Sequence, residues 1–570
     1  MLKIDLSIVV FLPLASGLIA AFAPRGLARW IVFAGTLAVL GYAVAMLVDF
    51  DAGREGLSYA TDKDWIPELG IHYALGIDGL NLFLVALTAL LWTICTLVAA
   101  FKDYERQRLF FFQLALAETA VLGAFCAQDL ALFVVFFDLM LVPFYFLIGG
   151  WGEGQRVAAT TKFVIYTLVG SLLMLAGAVA LGVLSAPGGA ERSFLLRDLE
   201  AASLPEGTQQ WIFLLFAAAF LVKMPAFPLH GWMPDAYRAT PLPVLVLLSG
   251  VLSKVGAYGF LRVVLPILPD GAQHFQEVLL IIAVVSILYG SVLAFSQDDA
   301  RLVVGYSSIA QLGFITLGIF ALDPKGAQGA VFQMINHGLV TAGLFFIIAV
   351  LAARAGGSEL LSRMGGIAYR APVLAGLFLV VALATLAMPG SANFVGELLI
   401  LFGVLEDKLV YGVVASAGIA LAAVYMIRFY QRTMHNRLRT GVDSRDVRGV
   451  ELVAIASIVV VIIGLGVYPQ FVVERSERAT VANVRQAEQV ADRGGEAEAA
   501  PATAAPGPAP GAGAVPAGPD GQPIPVGPDG QPIPGGAGGQ PVPVGPDGQP
   551  IPVGPDGQPV PVSPPGGQAP

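Results

Sequence analysis

The chain has 570 residues, of which 56% are hydrophobic and only 13% are charged. A soluble domain carries about 25% charged residues, so this composition excludes an ordinary soluble protein. The formal net charge of −9 resides in loops and in the C-terminal tail, and no basic stripe indicates a nucleic-acid partner. Runs such as residues 373–381 and 458–467 are apolar on every side. Such runs are typical of helices in lipid.

The cysteines and the N-terminal segment indicate neither a metal site nor a cleaved signal peptide. Cys95 and Cys126 both lie inside apolar segments and lack the C-x-x-C spacing of zinc or iron–sulfur ligands. No two other candidate ligands share a helix face at i, i+4 spacing, so we expect no metal site. The first apolar stretch lacks a small-residue cleavage site, and we interpret it as a retained helix rather than a signal peptide.

Fourteen segments are long and apolar enough to be transmembrane helices, since one span needs about 20 apolar residues. The expected fold class is therefore an all-α integral membrane protein. The twelfth segment is too long for one straight span and contains Pro389 and Gly390, so we expect it to be broken. The predicted helices cover residues 4–22, 29–48, 79–101, 109–127, 130–149, 161–185, 211–228, 242–266, 277–296, 301–322, 329–353, 371–404, 408–430 and 449–469.

Basic residues predict the orientation. Lys and Arg concentrate in the loops after odd-numbered helices, with clusters at 102–108 and 432–448. Cytoplasmic loops are enriched in Lys and Arg, so these loops should be cytoplasmic and both termini extracytoplasmic. For a bacterial chain this is the inner (cytoplasmic) membrane.

The composition changes from about residue 485, where Ala, Pro and Gly dominate. A nine-residue unit, G-P-D-G-Q-P-I-P-V, begins at Gly518 and recurs from Gly527, Gly545 and Gly554 with small changes. Its prolines and glycines neither form a helix nor fill a packed core. We therefore predict a disordered tail over residues 485–570, with a weak arm that binds envelope material as the alternative.

Ionisable side chains in the hydrocarbon cost several kcal/mol and usually mark a pathway. Four such residues are predicted at mid-span depth, each on a different helix: Asp138 in the fifth, Lys223 in the seventh, Lys254 in the eighth and Glu397 in the twelfth. Any one of them alone could belong to a structural ion pair. Four together favour a proton or ion pathway.

Two of these residues adjoin helix breaks, and an interrupted helix in a membrane must line a wet interior. Lys223 precedes Pro225 and Pro228, and Glu397 follows Pro389 and Gly390. The breaks are five helices apart, which predicts two inverted five-helix repeats, helices 4–8 and 9–13. The expected organisation is N-terminal helices 1–3 in residues 1–108, a first repeat in 109–266, a second repeat in 277–430, a last helix in 449–470 and the tail in 485–570.

Three further polar residues are weaker candidates for the same pathway. His230 ends the broken seventh helix and His337 lies in the eleventh. Histidine titrates near neutral pH and can pass protons, but a hydrogen-bonded structural role fits each of them equally well. Glu118, midway along the fourth helix, fits the polar pathway or a packed polar pair.

Several motifs resemble those of one family. Residues 221–236, L-V-K-M-P-A-F-P-L-H-G-W-M-P-D-A, are similar to the signature of the antiporter-like subunits of respiratory complex I, the proton-translocating NADH:quinone oxidoreductase. Residues 65–80, 388–397 (M-P-G-S-A-N-F-V-G-E) and 425–434 resemble the subunit M branch of that family. The resemblance runs from near the N-terminus to about residue 470.

The resemblance implies a function. Asp138 and Lys223 would form a switching pair, Lys254 would relay protons, and Glu397 would pass them onward. NADH, FMN, iron–sulfur clusters and quinone would bind to partner subunits, since this chain has no dinucleotide fingerprint or cluster-binding cysteines. The expected partners are the lipid bilayer and the other membrane subunits, with the sister subunits L and N as neighbours.

The chain departs from the family pattern at a few positions. Asp138 stands where the family usually has Glu, Tyr237 where it often has His, and Gln311 where His is common; Arg301-Leu302 replaces a usual Lys-Arg pair. These departures weaken the expectation of a histidine relay. A subunit of a multi-subunit sodium/proton antiporter or of an energy-converting hydrogenase remains the alternative function.

Overall fold

The computed structural model describes residues 3–54, 56–186, 192–438 and 441–499. Residues 1–495 form one compact unit, which is mostly helical. Most of the predicted tail, including every nine-residue repeat, lies outside the described residues. Within the described ranges, eleven helices are long and apolar enough to cross a membrane. The count of fourteen spans stays a prediction.

The N-terminal region contains the one feature that the all-α prediction missed. Two antiparallel strands pair between the second and third helices, with Thr61 opposite Leu75 and Ile66 opposite Ile71. Gly70 closes the turn with φ 67°, and a Cβ there would lie 1.9 Å from the Arg192 carbonyl oxygen. The elements are α1 (Leu6–Phe22), α2 (Arg25–Asp49), β1 (Ser58–Ile66), β2 (Ile71–Ile77) and α3 (Leu82–Ala100).

The region of the first predicted repeat is divided by several interruptions. The fifth predicted span has a turn at Met140, the seventh ends at Lys223, and two π-helical segments, Leu248–Leu252 and Phe260–Val264, interrupt the eighth. The helices are α4 (Gln107–Cys126), α5 (Leu130–Leu139), α6 (Leu141–Trp151), α7 (Arg156–Leu184), α8 (Leu196–Ala201), α9 (Glu206–Lys223), α10 (Met233–Ala239), α11 (Leu242–Leu247), α12 (Ser253–Gly259) and α13 (Leu265–Ile267).

The region of the second predicted repeat contains longer helices and one break. As predicted, the twelfth span is broken, and residues 386–391 separate its two halves. The inverted relation between the repeats stays a prediction. The helices are α14 (Pro269–His274), α15 (Gln276–Ser296), α16 (Ala300–Phe320), α17 (Pro324–Arg354), α18 (Pro372–Thr385), α19 (Ala392–Leu405), α20 (Leu409–Met434), α21 (Val450–Val467) and α22 (Gln470–Ala499).

Hydrogen bonds between loops define two ends of the helical unit. At one end, called here the hairpin face, the segment before α5 bonds to β2 (Gln128 N to the Ala74 oxygen, 2.9 Å) and to the segment before α8 (Leu130 N to the Phe194 oxygen, 2.7 Å). At the opposite face, the Glu153 amide donates to the Ala239 oxygen at 2.8 Å. The described parts of the two basic clusters, residues 102–108, 432–438 and 441–448, belong to the opposite face. The absolute orientation stays a prediction.

The most buried helices stand in the middle of the unit. The span that contains α11, α12 and α13 is buried throughout its apolar window, and α16 and α17 are 94% buried in theirs. By contrast, α2 and α21 are about one-third buried or less and present Val44, Val48, Val460 and Val467 outward. The structure therefore holds its polar central residues inside a shell of lipid-facing helices.

The helix α22 corrects the predicted start of the tail, because residues 485–499 continue a helix that begins at Gln470. Val472, Ser476, Thr480 and Val484 are fully buried on one side of it. Ser476 accepts a 2.6 Å hydrogen bond from the Gln328 amide at the start of α17. The spacing of four residues is that of an amphipathic helix packed on the hairpin face.

We predict that truncation distinguishes α22 from the remaining tail. A chain that ends at Ala499 should keep its thermal stability and its assembly in membranes, because the Pro/Gly-rich composition beyond it predicts no packed core. A chain that ends at Pro469 should lose stability, since each fully buried valine contributes roughly 1.5–3 kcal/mol. Thermal unfolding of both variants in detergent measures the difference. Equal stability of the two would show that α22 contributes nothing to the fold.

Candidate functional site

The first helix break is formed around Lys223, the last residue of α9, whose side chain is 4% exposed. The chain after Lys223 contains Pro225 and Pro228 and becomes helical again only at α10. The Trp232 indole donates a hydrogen bond to the Val222 oxygen at 3.0 Å, which satisfies a carbonyl group that the break frees. The prolines thus end the helix at the lysine, as the sequence predicted.

Asp138 and Lys223 are neighbours in the fold, because Asp138 directly follows Phe137 on α5 and the Phe137 ring lies over the Lys223 ammonium. No nitrogen–oxygen contact of 4.0 Å or less joins them in the described chain. The Lys223 ammonium lies 4.3 Å from the ring centre of Phe137, which provides a cation–π contact. The pair is therefore close enough to interact, but not locked together.

Lys254 lies in α12, between the two π-helical segments, and is completely buried. Its ammonium donates to the Ser249 oxygen at 2.7 Å and to the Ser253 hydroxyl at 3.3 Å. Ser249 belongs to the first π segment, where backbone hydrogen bonds shift by one residue. π segments occur often at functional sites. Here the segment provides a carbonyl group that a regular helix would use internally.

His337 lies on α17, next to the span that contains Lys254, and is buried. A close approach of the helices brings them together: a Cβ on Gly338 would lie 2.7 Å from the Gly250 oxygen. Within the described residues, neither His337 ring nitrogen and neither Glu118 carboxylate oxygen has a hydrogen-bond partner. A buried polar group without a partner costs about 1–3 kcal/mol, so these side chains define an interior that favours water.

His230 lies in the break after Lys223, toward the opposite face. Its Nε2 is 3.2 Å from the Tyr289 hydroxyl on α15, and the two rings are in contact. The Phe227 amide in the same break donates to the Ser286 hydroxyl at 3.0 Å. The structure therefore links the first break to α15 through polar groups.

Glu397 lies in α19, just after the second break, and is 3% exposed. The break contains Pro389 and Gly390, whose φ of 93° is readily adopted only by glycine. The Gln333 amide nitrogen lies 2.6 Å from the Gln311 oxygen and 3.5 Å from the Glu397 carboxylate. This places Gln311 beside the carboxylate, so the glutamine that replaces a common histidine belongs to the same polar cluster.

Sequence reasoning missed an ion pair between Arg262, in the second π segment, and Asp78, before α3. The two residues are 184 positions apart, so no spacing rule connects them. The Arg262 Nε also donates to the Tyr258 hydroxyl at 3.1 Å. The only available signal was an arginine within an apolar span.

A second missed pair joins Arg354, at the end of α17, to Glu451 at the start of α21. Its guanidinium contacts both carboxylate oxygens, at 3.2 and 2.6 Å. Arg301, one of the departures from the family pattern, donates to the Thr240 oxygen at 2.6 Å and pairs with Glu359. The carbonyl of Tyr237, another departure, accepts a 3.2 Å bond from Arg301. These residues hold loops together at the opposite face.

The described residues contain no group of three side chains that would hold a metal ion. Cys95 and Cys126 are buried free thiols. The candidate site consists of titratable groups in two clusters, half-buried Asp138 with buried Lys223, and buried Glu397 with its glutamines, together with buried Lys254 and His337. Such an arrangement can accept, hold and release protons.

Two interrupted helices with buried charged residues, in a chain with many helices apolar enough to cross a membrane, define an integral membrane protein with ionisable groups in its interior. Residues 127–422 match the family model described as NADH:quinone oxidoreductase/Mrp antiporter, transmembrane. The chain belongs to this family. It is 35% identical over 487 residues to NADH-quinone oxidoreductase subunit M of Rhodobacter capsulatus, covering 82% of this chain and 94% of that one.

Further relatives and solved structures agree. The chain is 35% identical over 502 residues to NAD(P)H-quinone oxidoreductase chain 4 1 of a Synechococcus strain, covering 85% of this chain and 93% of that one. A chain of respiratory complex I from Thermus thermophilus superposes with a TM-score of 0.76 at 31% identity, covering 85% of this chain and 99% of that one. A chain of the Mrp complex from Dietzia superposes with a TM-score of 0.75 at 22% identity, with 85% and 98% covered, which shows a shared fold.

Proposed function

We propose that the chain is the proton-translocating membrane subunit M of an NADH:quinone oxidoreductase. The observation that carries this proposal is a buried lysine, Lys223, at a helix break, with its ammonium 4.3 Å from the ring centre of Phe137, the residue next to Asp138. In this function, electron transfer from NADH to quinone takes place in other subunits, which hold the FMN and the iron–sulfur clusters. This chain couples that reaction to proton movement across the bacterial inner membrane.

The proposed relay contains four groups. Approach of Asp138 stabilises the charged form of Lys223, and its withdrawal favours loss of the proton toward Lys254. Lys254 donates to groups on its own helix, and His337 lies on the neighbouring α17, which leads toward the second break. Glu397 receives protons there, with Gln333 and Gln311 as neighbours. His230 and Glu118 are proposed as auxiliary proton carriers.

The alternative is a subunit of a sodium/proton antiporter or of an energy-converting hydrogenase. The family description covers both complex I and Mrp antiporters, and the two folds superpose about equally well on this chain. The identity to subunit M over most of the chain favours the first proposal. Purification of the tagged chain from native membranes decides between them: NADH-oxidising and iron–sulfur subunits should co-purify. Co-purification of antiporter subunits alone would support the alternative.

We predict that Lys223→Ala stops pumping but leaves the complex assembled. The variant lacks the ammonium group that Asp138 holds, so redox-driven proton uptake into vesicles should fall by roughly tenfold or more, as should coupled quinone reduction. Lys162→Ala is the matched control, because Lys162 pairs with Asp235 at an exposed position. A normal proton-to-electron ratio in an assembled Lys223→Ala complex would disprove the relay.

We predict that charge, and not length, is essential at position 138. Asp138→Asn removes the charge that stabilises protonated Lys223 and should nearly abolish pumping. Asp138→Glu should retain substantial activity, since it keeps the negative charge, the family that the motifs resemble usually has glutamate there, and the site is only half-buried. Asp198→Asn makes the same substitution at an exposed position and is the matched control. Wild-type pumping by Asp138→Asn would make Glu118 the next carboxylate to test.

We predict that Glu397 passes protons from the second break to a neighbouring subunit or to the outside. Glu397→Gln should impair pumping because the amide cannot ionise, whereas Glu397→Lys should retain part of it, because it restores a titratable group. Glu406→Gln, on the surface and paired with Lys325, is the control. Proton-to-electron ratios in vesicles measure the effect. Unchanged ratios in Glu397→Gln would place the exit route elsewhere.

A further inference from the structure

The titratable groups of the first repeat have different surroundings on their two sides. Toward the opposite face the neighbours are polar: Ser249 and Ser308 hydroxyls lie 3.4 Å apart, and His230 contacts Tyr289. Toward the hairpin face the neighbours are aromatic. Four helices each contribute at least one ring on that side, and we name these rings the aromatic plug. They are Phe125, Phe133, Phe137, Phe220, Tyr258 and Phe260.

Chain direction places the plug between Lys223 and the hairpin face. The helix α5 starts at the hairpin face, so Phe133 precedes Asp138 on the way inward. The helix α9 also starts there and ends at Lys223, which puts Phe220 one turn outward of the lysine. The helix α4 ends at that face, close to Phe125. The rings therefore form a layer across the first repeat.

The rings of the plug are in mutual contact and almost fully buried. Phe220 is central, with ring centres 5.9 Å from Phe137, 6.3 Å from Phe133 and 5.2 Å from Phe260. Its position depends on Gly259, since a Cβ there would lie 2.4 Å from the Phe220 ring. Phe137 is also the ring that contacts the Lys223 ammonium. Packed aromatic side chains leave little room for a water chain.

Hydrogen bonds hold the outer edge of the plug. The Tyr258 hydroxyl donates to the Phe125 oxygen at 3.0 Å and accepts from Arg262, which pairs with Asp78. Beyond this pair a cavity of about 230 Å³ begins, lined by Asp78, Glu200 and Arg262 among others. Arg262 is eight residues, or about 12 Å of helix, beyond Lys254. This cavity, which polar residues line in part, thus ends at Arg262, and the rings of the aromatic plug lie on the inner side of Arg262.

We propose that the aromatic plug, clamped by Tyr258, Arg262 and Asp78, is the barrier that prevents proton exchange between Lys223 and the hairpin face. This inference rests on the proposed function, because it assumes that Lys223 exchanges protons. The proposal names the side chains that determine from which face the titratable groups of the first repeat exchange protons. Lys223 then exchanges protons with the opposite face through polar groups, and with Lys254 on the neighbouring span. It does not exchange protons with the cavity at the hairpin face.

The test measures passive proton leak through the idle complex. The assembled complex, reconstituted in liposomes with an internal pH dye, receives a potassium diffusion potential without NADH. Phe220→Ala should increase the leak several-fold, since it opens the centre of the plug. Uncoupled NADH oxidation should stay at the wild-type rate. Phe378→Ala, another fully buried phenylalanine on α18 outside the plug, is the matched control.

Two further variants make the result decisive. Phe220→Leu keeps apolar bulk and should leak far less than Phe220→Ala. If Phe220→Ala fails to assemble, Phe133→Ala on a different helix replaces it, with the same expected leak. A leak no greater than that of Phe378→Ala would overturn the proposal. Failure of the proposed function is distinguishable: Lys223→Ala would then pump normally, whatever leak the plug variants show.

Discussion

A lysine side chain in the middle of a membrane protein must either be paired or lose its charge, and most of this structure follows from that constraint. Lys223 has one aromatic ring in contact and Asp138 as a neighbour without a direct ion pair in the described chain, which leaves its charge incompletely compensated. Lys254 donates to two neutral acceptors, the Ser249 carbonyl in the first π segment and the Ser253 hydroxyl in α12. Within the described residues no salt bridge neutralises either lysine, so in the proposed relay a small movement of Asp138 changes which of them holds a proton. Rigid pairs occur instead at the ends of helices, where Arg354 meets Glu451.

The interaction energies are large enough to operate such a switch. Moving one charge against 100 mV costs about 2.3 kcal/mol. Two unit charges about 4 Å apart interact with about 4 kcal/mol at an effective dielectric constant of 20. The approach and withdrawal of one carboxylate therefore supply energy on the scale that a membrane potential requires. A tight Asp138–Lys223 ion pair would be harder to open in each cycle, so the absence of a direct contact between them within the described chain fits a switching role.

The sequence predicted the breaks and the buried charges because proline, glycine and isolated charges are local signals. Lys223 before Pro225 and Glu397 after Gly390 need no knowledge of distant residues. The features that the sequence did not predict depend on long-range contacts. The hairpin was missed because Asp62, Lys63 and Asp64 resemble a solvent loop, and the strands are stabilised by pairing and by the segment after Arg192. The helix α22 was missed in part because its small residues from 485 onward suggested a tail. The apolar and small side chains at 472, 476, 480 and 484 did carry a helical period.

Directional transport requires unequal access on the two sides of the titratable groups, and hydrogen bonds alone do not provide it. Water fills any polar interior that is large enough, so a barrier must be made of groups that cannot hydrogen-bond a water chain. Aromatic rings serve this purpose because they fill space with few rotatable bonds and present little polarity. Tyr258 is the exception within the plug, and its hydroxyl is fully engaged by the Phe125 carbonyl and Arg262. Tyr258 therefore extends the barrier without a free hydroxyl group that could pass a proton. In the proposed function, the barrier then stays closed to protons while Lys223 and Lys254 change charge.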